Sequence, residues 1–282
     1  MVKRALLLGL NYVGTPNQLN GCINDVNNMA SYLMSTLGFS RSDIIILSDY
    51  TAVKPTRANI IKYLLLLIKK VVAGDSLFLV YSGHGDLIRD KSRDEISGMD
   101  SVLCPLDYAT SGYIVDDDLR KYIIDAIPSG AQLTVVLDCC HNGTGCDLRY
   151  VHTDKSVVNA NPANDSILSN ANLSLMQKIN QLQISVAQSV VSYNKYSESK
   201  GNVFVISGCR DDQTSADTYE NKQYGGALTI SLLEVLNANR NISWSELLCQ
   251  LSTIIKLKGY SQIIQFSSGK KTNMYSLNSF LA

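Results

Sequence analysis

The sequence lacks the features that mark several large classes of protein. Its 25 Lys and Arg residues balance its 25 Asp and Glu residues, and this zero net charge argues against a protein that coats nucleic acid. The longest unbroken apolar stretch lies near Tyr63–Ile68, far short of the roughly 20 residues that span a bilayer. Neither a glycine-rich dinucleotide fingerprint nor a phosphate-binding loop is present, which disfavours a small-molecule binder built on such a loop.

The cysteines do not suit a disulfide framework. There are seven of them, an odd number, and Cys139 and Cys140 are neighbours. The first ten residues imitate a signal peptide, but their apolar part is short and no cleavage site follows. We therefore expect this segment to be the first buried strand and the protein to be cytoplasmic, in a reducing compartment.

Short apolar runs alternate with segments of helical length along the chain. With 45% hydrophobic residues among 282, the chain can bury a substantial core in one large domain or two small ones. The predicted strands, apolar on both faces, are Lys3–Leu10, Asp43–Leu47, Ser76–Tyr81, Gln132–Leu137 and Asn202–Ile206. The predicted helices between them are Asp25–Thr36, Arg57–Val72 and Asp117–Ala126. This alternation predicts an α/β fold, with a mostly parallel sheet between layers of helices.

In the second half of the chain, the alternation of apolar runs and helical segments stops in a polar segment and then resumes. Thr153–Lys200 is rich in Asn, Ser and Gln, and Ser166–Val191 has some helical periodicity, so we expect a partly helical and partly mobile insertion. Two helices are then predicted, at Ala227–Asn237 and Ser243–Lys256, the second with Ser243 as N-cap and Glu246 as its partner. Gln262–Ser267 is a possible final strand.

Histidine and cysteine follow two of the predicted strands. The third strand runs into Tyr81-Ser-Gly-His-Gly85 and the fourth into Leu137-Asp-Cys-Cys-His-Asn-Gly-Thr144. Open parallel sheets carry their sites at the carboxyl ends of strands, so the two segments can meet at one edge. An imidazole beside a thiol can remove its proton and make it a nucleophile.

Other interpretations of these residues remain open at this point. Histidine is scarce, with only His84, His141 and His152 in the chain, and a single buried histidine or cysteine is often just part of a core. A metal site from His84, Cys139, Cys140 and His141 is conceivable, but adjacent ligands suit zinc poorly because structural sites usually space their cysteines.

Six motifs, taken in order, resemble those of the metacaspases, which are caspase-like cysteine peptidases. The two segments above resemble the catalytic signatures of that family. The other four are Leu19-Asn-Gly-Cys-Ile-Asn-Asp25, Asp94-Glu-Ile-Ser-Gly-Met-Asp100, Ile114-Val-Asp-Asp-Asp118 and the segment Ile206–Asp217. The resemblance covers nearly the whole chain and implies a caspase-like sandwich, a single peptidase domain over residues 1–282. Its parts are a large-subunit-like region (1–150), the polar insertion (151–200) and a small-subunit-like region (201–282).

The resemblance also implies a role for particular residues. His84 matches the catalytic histidine and Cys140 the nucleophile, whereas Cys139 lies where the family tolerates Ser or Cys. Metacaspases cut after Arg or Lys, and the positions that match their substrate pocket are Cys22, Asp25, Ser82 and Asp138. Carboxylates suit a basic side chain, although Asp25 alone could equally be a first-turn helix carboxylate.

An acidic cluster matches the calcium-binding aspartates of the family. These residues are Asp100, Asp116, Asp117 and Asp147. Calcium prefers several oxygen ligands, but the alternative is a solvated acidic loop, as most such runs are. The resemblance departs at Asn142 and Ser101, and the pro-domain of many type I relatives is expected to be absent.

The sequence therefore predicts a cytoplasmic, calcium-activated cysteine endopeptidase acting on polypeptides after Arg or Lys. Autoprocessing is expected, if it occurs, at a Lys or Arg between residues 149 and 200, where the chain is polar. No nucleic-acid or membrane partner is expected, and the resemblance suggests a monomer. The alternative is a catalytically silent caspase-like scaffold that binds basic peptides.

Overall fold

The computed structural model describes residues 1–89, 99–139, 146–209, 217–220 and 223–276. The strands of these ranges are β1 (Lys3–Gly9), β2 (Ile44–Ser48), β3 (Ser76–Ser82), β4 (Gly85–Arg89), β5 (Met99–Leu103), β6 (Ile114–Val115), β7 (Gln132–Asp138), β8 (Tyr150–Asp154), β9 (Val157–Val158), β10 (Ile184–Ser185), β11 (Gln188–Ser192), β12 (Asn202–Cys209), β13 (Asp217–Glu220), β14 (Gln223–Gly226) and β15 (Ile263–Ser268). The α-helices are α1 (Cys22–Ser35), α2 (Arg57–Leu67), α3 (Tyr108–Ser111), α4 (Asp116–Leu119), α5 (Pro162–Ser169), α6 (Leu175–Gln181), α7 (Ala227–Ala238) and α8 (Trp244–Leu257).

Eight strands form one central sheet in the order β11-β8-β15-β12-β7-β3-β1-β2. The five strands from β12 to β2 are parallel to their neighbours, and β15, β8 and β11 extend the sheet in antiparallel fashion. The predicted α/β fold with a mostly parallel sheet is confirmed. Strands from the first half and the last third of the chain join directly, because β7 pairs with β12.

Two hydrophobic cores lie on opposite faces of the sheet. Within β1, Ala5 and Leu7 face a core formed with α1, α7 and α8, whereas Leu6 and Leu8 face a second core that includes residues of α2. Because side chains alternate along a strand, a strand that is apolar at every position supplies both faces. This explains why the continuous apolar runs of the sequence mark the central strands.

The register of the sheet brings together the segments that carry the sequence motifs. Gly9, at the end of β1, pairs with Ser82 at the end of β3, and Ser82 pairs in turn with Asp138 at the end of β7. The strands are parallel, so all three chain segments leave the sheet at the same edge. Two smaller sheets, β4-β5-β6 and the hairpin β13-β14, are formed by segments that follow this edge.

The predicted helices are present in the structure, and two of them differ from the prediction in length or in helix type. Helix α8 begins with the expected capping box, in which the Ser243 hydroxyl and the Glu246 side chain bond each other's backbone. The helix predicted to run to Val72 ends at Leu67, and Lys70 beyond it has a left-handed φ of 58°. The segment from Asp117 to Ala126 is a short α-helix followed by one π turn.

The polar insertion is partly helical, as predicted, but it also contains strands that the sequence did not predict. It forms the short helices α5 and α6 and the strands β8 to β11. Strands β8 and β11 extend the central sheet, and β11 is its outermost strand, with Val190 and Val191 exposed. An edge strand has solvent on one side, so it needs few apolar residues and its polar sequence gives little strand signal. No helix in the described part of the chain is long and apolar enough to cross a membrane.

Candidate active site

The main chain of His84 is bound by two buried tyrosines. Its N–H donates to the Tyr12 hydroxyl at 3.0 Å, and its carbonyl accepts from the Tyr81 hydroxyl at 2.6 Å. Cys104 completes the arrangement, because its carbonyl accepts from Tyr12 at 2.6 Å and its N–H donates to Tyr81 at 3.1 Å. Each phenol therefore donates one hydrogen bond and accepts another, so both polar backbone groups of His84 are fixed.

The imidazole of His84 is oriented by the loop between β1 and α1. Its Nε2 atom lies 2.7 Å from the carbonyl oxygen of Asn17. A carbonyl can only accept, so Nε2 carries the proton and Nδ1 of the neutral ring is the acceptor. The ring also lies against that of Tyr12, with 4.7 Å between the centroids. His84 is thus held with Nδ1 as its available ring nitrogen.

The same two tyrosines explain why residue 83 is a glycine. A Cβ at this position would lie 2.9 Å from the Tyr81 hydroxyl oxygen and 3.0 Å from that of Tyr12. Such a contact would push the phenols from the backbone of His84, so the glycine before the histidine is required by packing.

Cys139 directly follows β7, whose last residue Asp138 pairs with Ser82, two residues before His84. Cys139 is buried and its side chain belongs to the core on the α2 face of the sheet. Cys140 and His141 lie outside the described residues. The other histidine, His152, is buried within β8, and burial lowers its pKa to about 4.

Two buried carboxylates converge beside the same strand ends. The side chain of Asp25, in the first turn of α1, accepts a hydrogen bond from the Ser82 hydroxyl at 2.7 Å, and both of its oxygens lie 2.9 Å from the Gly226 N–H. Asp138 accepts from the N–H of Thr229 at 2.8 Å, in the first turn of α7. A Cβ at Gly226 would overlap Asp138 Oδ2 and lie 2.9 Å from Asp25 Oδ2, so the two carboxylates meet at this glycine.

Of the four residues predicted for a substrate pocket, three are therefore in mutual contact or share a neighbour. Cys22 lies three residues before Asp25 in α1 and is buried. The positive end of the α7 dipole and the backbone N–H groups offset the charge of the carboxylates. The alternative that Asp25 is a first-turn helix carboxylate is confirmed, because it lies in the first turn of α1.

The four predicted calcium ligands come from three elements and differ in exposure. Asp100 lies on β5, Asp116 and Asp117 in α4, and Asp147 after β7 in a left-handed conformation with φ 51°. Asp117 is exposed and the other three are buried. Three of them therefore lie on regular elements and one in a loop.

Several contacts bring this acidic cluster into one region. Asp116 accepts a hydrogen bond at 3.0 Å from the N–H of Ser101, which follows Asp100. Burial, followed by the charges of Asp147 and Asp116, raises the pKa of Cys146. Buried carboxylate oxygens are the donors that calcium prefers. However, no three His, Cys, Asp or Glu side chains in the described ranges are placed to hold one metal ion.

The sequence did not indicate the residues that bind His84 and the two buried carboxylates. Tyr12 and Asn17 bind His84, and Gly226 and Thr229 bind the carboxylates, yet none of them stood out in the sequence. The Gly225-Gly226 pair before an apolar helix was the only available signal. Contacts between residues 67 to 201 positions apart depend on the folded sheet, so no local sequence pattern predicts them.

Comparison with known proteins places the chain in a family. Residues 3–149 match the family described as metacaspase, peptidase C14 domain. The chain is 40% identical to a metacaspase-1 of Scheffersomyces stipitis, covering 96% of this chain and 72% of that protein. It is 39% identical to a metacaspase-1 of Debaryomyces hansenii, covering 96% of this chain and 66% of that protein.

Two solved structures are similar in fold. A crystal structure of a protein from Geobacter sulfurreducens has a TM-score of 0.63 at 25% identity and covers 99% of this chain and 98% of that chain. Caspase-1 from Spodoptera frugiperda has a TM-score of 0.50 at 12% identity, covers 98% of this chain and 88% of that chain, and supports the fold alone. The oriented histidine beside a cysteine-bearing strand end, the fold and the matched sequences agree, and the chain belongs to the metacaspase family of caspase-like cysteine peptidases.

Proposed function

We propose that this chain is a calcium-activated cysteine endopeptidase that cuts after Arg or Lys, with Cys140 as nucleophile and His84 as general acid and base. The observation that carries the proposal is the orientation of His84. Its Nε2 is bound to the Asn17 carbonyl at 2.7 Å, at the sheet edge where β7 leads into Cys139 and Cys140. This leaves Nδ1 as the nitrogen that can exchange a proton with a thiol.

The reaction would proceed in two stages, each with two proton transfers at His84. Nδ1 takes the proton of the Cys140 thiol as the sulfur attacks the scissile carbonyl carbon, and it then gives this proton to the leaving amine as the C–N bond breaks. A water molecule next gives a proton to Nδ1 as its oxygen attacks the thioester carbon, and this proton passes to the sulfur as the C–S bond breaks and the new carboxyl end of the substrate leaves. A backbone N–H near Gly85 is the proposed donor to the oxyanion. Throughout, the Asn17 carbonyl would stabilise the imidazolium by accepting from Nε2.

The pair Asp25 and Asp138 supports specificity for a basic side chain. Both carboxylates are buried and meet at Gly226 next to Ser82. A guanidinium or ammonium group that reached them would gain charge-assisted hydrogen bonds that an acidic substrate side chain could not make. Their present partners are backbone N–H groups and a hydroxyl, so substrate binding requires a rearrangement around Gly226.

Calcium would be held by Asp100, Asp116, Asp147 and the exposed Asp117 after these side chains move closer together, because no three of them are placed to hold one ion in the described structure. When bound, the ion would supply positive charge that cancels the repulsion among these carboxylates. Asp147 is seven residues after Cys140, and Arg120 donates to the Asp147 carbonyl. A calcium ion that fixes the positions of the acidic cluster would therefore also constrain the segment that carries Cys140.

One assay tests the proposal. Fluorogenic peptides with Arg, Lys or Asp before the cleaved bond would be incubated with the protein, with calcium and with excess chelator. We expect cleavage of the Arg and Lys peptides only, in calcium only, and loss of cleavage in both Cys140→Ala and His84→Ala. Cys139→Ala is the matched control, because its thiol lies in the core, and it should keep most of the activity.

The competing function is a silent scaffold that binds basic peptides. Absence of cleavage in all conditions, with binding of an Arg peptide by the unaltered protein, would favour it. Equal losses in Cys139→Ala and Cys140→Ala would contradict the assignment of the nucleophile.

A further inference from the structure

Tyr12 has a backbone conformation that a tyrosine rarely adopts. Its φ is 51°, in the left-handed region, which is unfavourable for a residue with a Cβ. Such a conformation persists only where the surroundings impose it. Tyr12 is also buried, with 2% of its surface exposed, so what imposes this conformation must lie in its contacts.

Asp49 binds the chain on both sides of Tyr12. Its Oδ2 accepts from the N–H of Asn11 at 2.6 Å, and its Oδ1 accepts from the N–H of Val13 at 2.9 Å. The Tyr12 carbonyl accepts from the hydroxyl of Thr15 at 2.8 Å. Asp49 directly follows β2, which pairs with β1, so the carboxylate that fixes the turn is itself anchored to the sheet.

The imposed turn directs the Tyr12 side chain to His84. The phenol oxygen accepts from the His84 N–H at 3.0 Å, and the two rings lie 4.7 Å apart. Burial raises the pKa of Tyr12 well above its usual range. The phenol therefore keeps its proton and can donate to the Cys104 carbonyl while it accepts from His84.

We propose that Tyr12 is a positioning residue for His84 and that Asp49 fixes Tyr12 in this role. For its kinetic consequence the inference rests on the peptidase function proposed above. Without the phenol oxygen, the His84 N–H loses its partner, and the segment that carries the imidazole is free to shift. The ring then leaves the Asn17 carbonyl, and the preference for the proton on Nε2 is lost.

The kinetic experiment compares two variants with two matched controls. Tyr12→Phe keeps the ring in the core and removes only the phenol oxygen, and Asp49→Asn removes one of the two acceptors. Tyr50→Phe changes an exposed phenol next to Asp49, and Asp43→Asn changes a carboxylate for which the described residues show no side-chain hydrogen bond. We expect kcat on an Arg peptide to fall about 10-fold to 100-fold in the two variants. KM should stay within about twofold, and both controls should match the unaltered protein.

A second measurement does not need activity. In the Cys140→Ala protein, the ¹⁵N shifts of the imidazole nitrogens report which nitrogen of His84 carries the proton. The signals of the three histidines are assigned by substitution. We expect a predominant Nε2–H form, and a mixture of the two forms after Tyr12→Phe or Asp49→Asn. If Tyr12→Phe fails to fold, Asp49→Asn alone serves for both measurements.

Together, the two measurements test the positioning role of Tyr12 separately from the proposed peptidase function. A mixed tautomer together with lower kcat supports both. A mixed tautomer in a protein that cleaves no peptide supports the positioning role and overturns the peptidase function. An unchanged tautomer with unchanged kcat, or a rise in KM alone, overturns the positioning role and leaves the function standing.

Discussion

The carbonyl oxygen of Asn17 lies 2.7 Å from Nε2 of His84, across 67 residues of sequence. The same loop leads into α1, where Asp25 contacts Ser82 two residues before the histidine. The connection between β1 and α1 therefore reaches both the proposed base and the proposed substrate pocket. A change in this loop is expected to alter proton transfer and specificity together, whereas a change at Gly226 or Thr229 is expected to alter specificity alone.

Asp138→Asn should lower kcat/KM on Arg and Lys peptides by at least about 30-fold. Removing one partner of a buried charge pair costs on the order of 2–5 kcal/mol, and 1.4 kcal/mol corresponds to a factor of ten. Asn keeps an oxygen that can accept from the Thr229 N–H, so α7 should stay in place. Steady-state kinetics on an Arg peptide measures the effect.

The control for this substitution is Asp125→Asn, since the Asp125 side chain is 55% exposed. It should leave kcat/KM within about twofold of the starting value, because exposed ion pairs contribute little. A peptide library in which Asp is preferred at the cleaved position would contradict the assignment of Asp25 and Asp138.

Much of this fold could be predicted from the sequence, for a definite physical reason. Most residues of the five parallel strands are buried, so their apolar runs are nearly continuous, and the predicted bounds differ from the observed ones by three residues or fewer. Once β3 and β7 are neighbours, the motifs that follow them must meet at one edge. The sequence alone could therefore place the segment that carries His84 and the segment that begins with Cys139 at one edge of the sheet.

The parts of the fold and of the site that were not predicted depend on contacts between residues far apart in the sequence. Strand β11 is the outermost strand of the sheet and is largely exposed, and β8 lies between it and β15, so the apolar pattern that predicts strands is weak in this part of the sheet. Asp49 and Tyr12 are 37 positions apart and look like an ordinary turn carboxylate and an ordinary aromatic residue. Their roles follow only from the pairing of β1 with β2.

His152 should make the protein less stable in mild acid. Burial lowers its pKa from 6.5 to about 4, and in the described structure neither ring nitrogen has a hydrogen-bond partner. The unfolded chain therefore takes up a proton at higher pH than the folded chain does. The stabilisation is complete above pH ~6.5 and is lost as the pH falls towards 4, by about 2 kcal/mol between pH ~7.5 and ~5.

Urea unfolding at the two pH values measures this loss. In His152→Leu the titrating group is gone, so the difference in unfolding free energy between the two pH values should shrink by about 2 kcal/mol. His84→Gln is the matched control, because His84 is partly exposed, and it should keep the full difference. An unchanged pH dependence in His152→Leu would show that other groups are responsible.

Self-cleavage, if the enzyme is active, should occur after Lys195 or Lys200. Both side chains are exposed in the segment between β11 and β12, which has no helix or strand. By contrast, Lys178 lies in α6 and its ammonium donates to the Leu168 carbonyl at 2.8 Å. Proteolysis concentrates where the backbone can open locally, so the irregular segment should be cut first.

Mass spectrometry of protein incubated with calcium identifies the new chain ends, with Cys140→Ala as the inactive control. The double variant Lys195→Gln, Lys200→Gln should stay intact longer, whereas Lys178→Gln should be cut at the original rate. Ends only outside residues 149–200 would contradict the prediction.

Removal of the Asp116 charge should raise the calcium concentration needed for activity by at least about tenfold. Two close carboxylates repel each other by roughly 1–4 kcal/mol, depending on local screening, and the acidic cluster brings together several that are buried. Asp116 accepts hydrogen bonds from the Ser101 and Asp117 N–H groups. Asn at this position can keep one of them, so Asp116→Asn tests the charge more cleanly than a truncation does.

Two calcium titrations measure the effect. The first follows Arg-peptide cleavage, and the second measures the heat of calcium binding to the Cys140→Ala protein by calorimetry. Asp43→Asn should change neither, and magnesium should replace calcium poorly because it demands a tighter octahedral shell and gives up water reluctantly. The calorimetric titration separates binding from catalysis, because it needs no cleavage. Full cleavage in excess chelator, or an unchanged response in Asp116→Asn and in Asp116→Ala with Asp117→Ala, would mean that these aspartates are only an acidic patch of the fold.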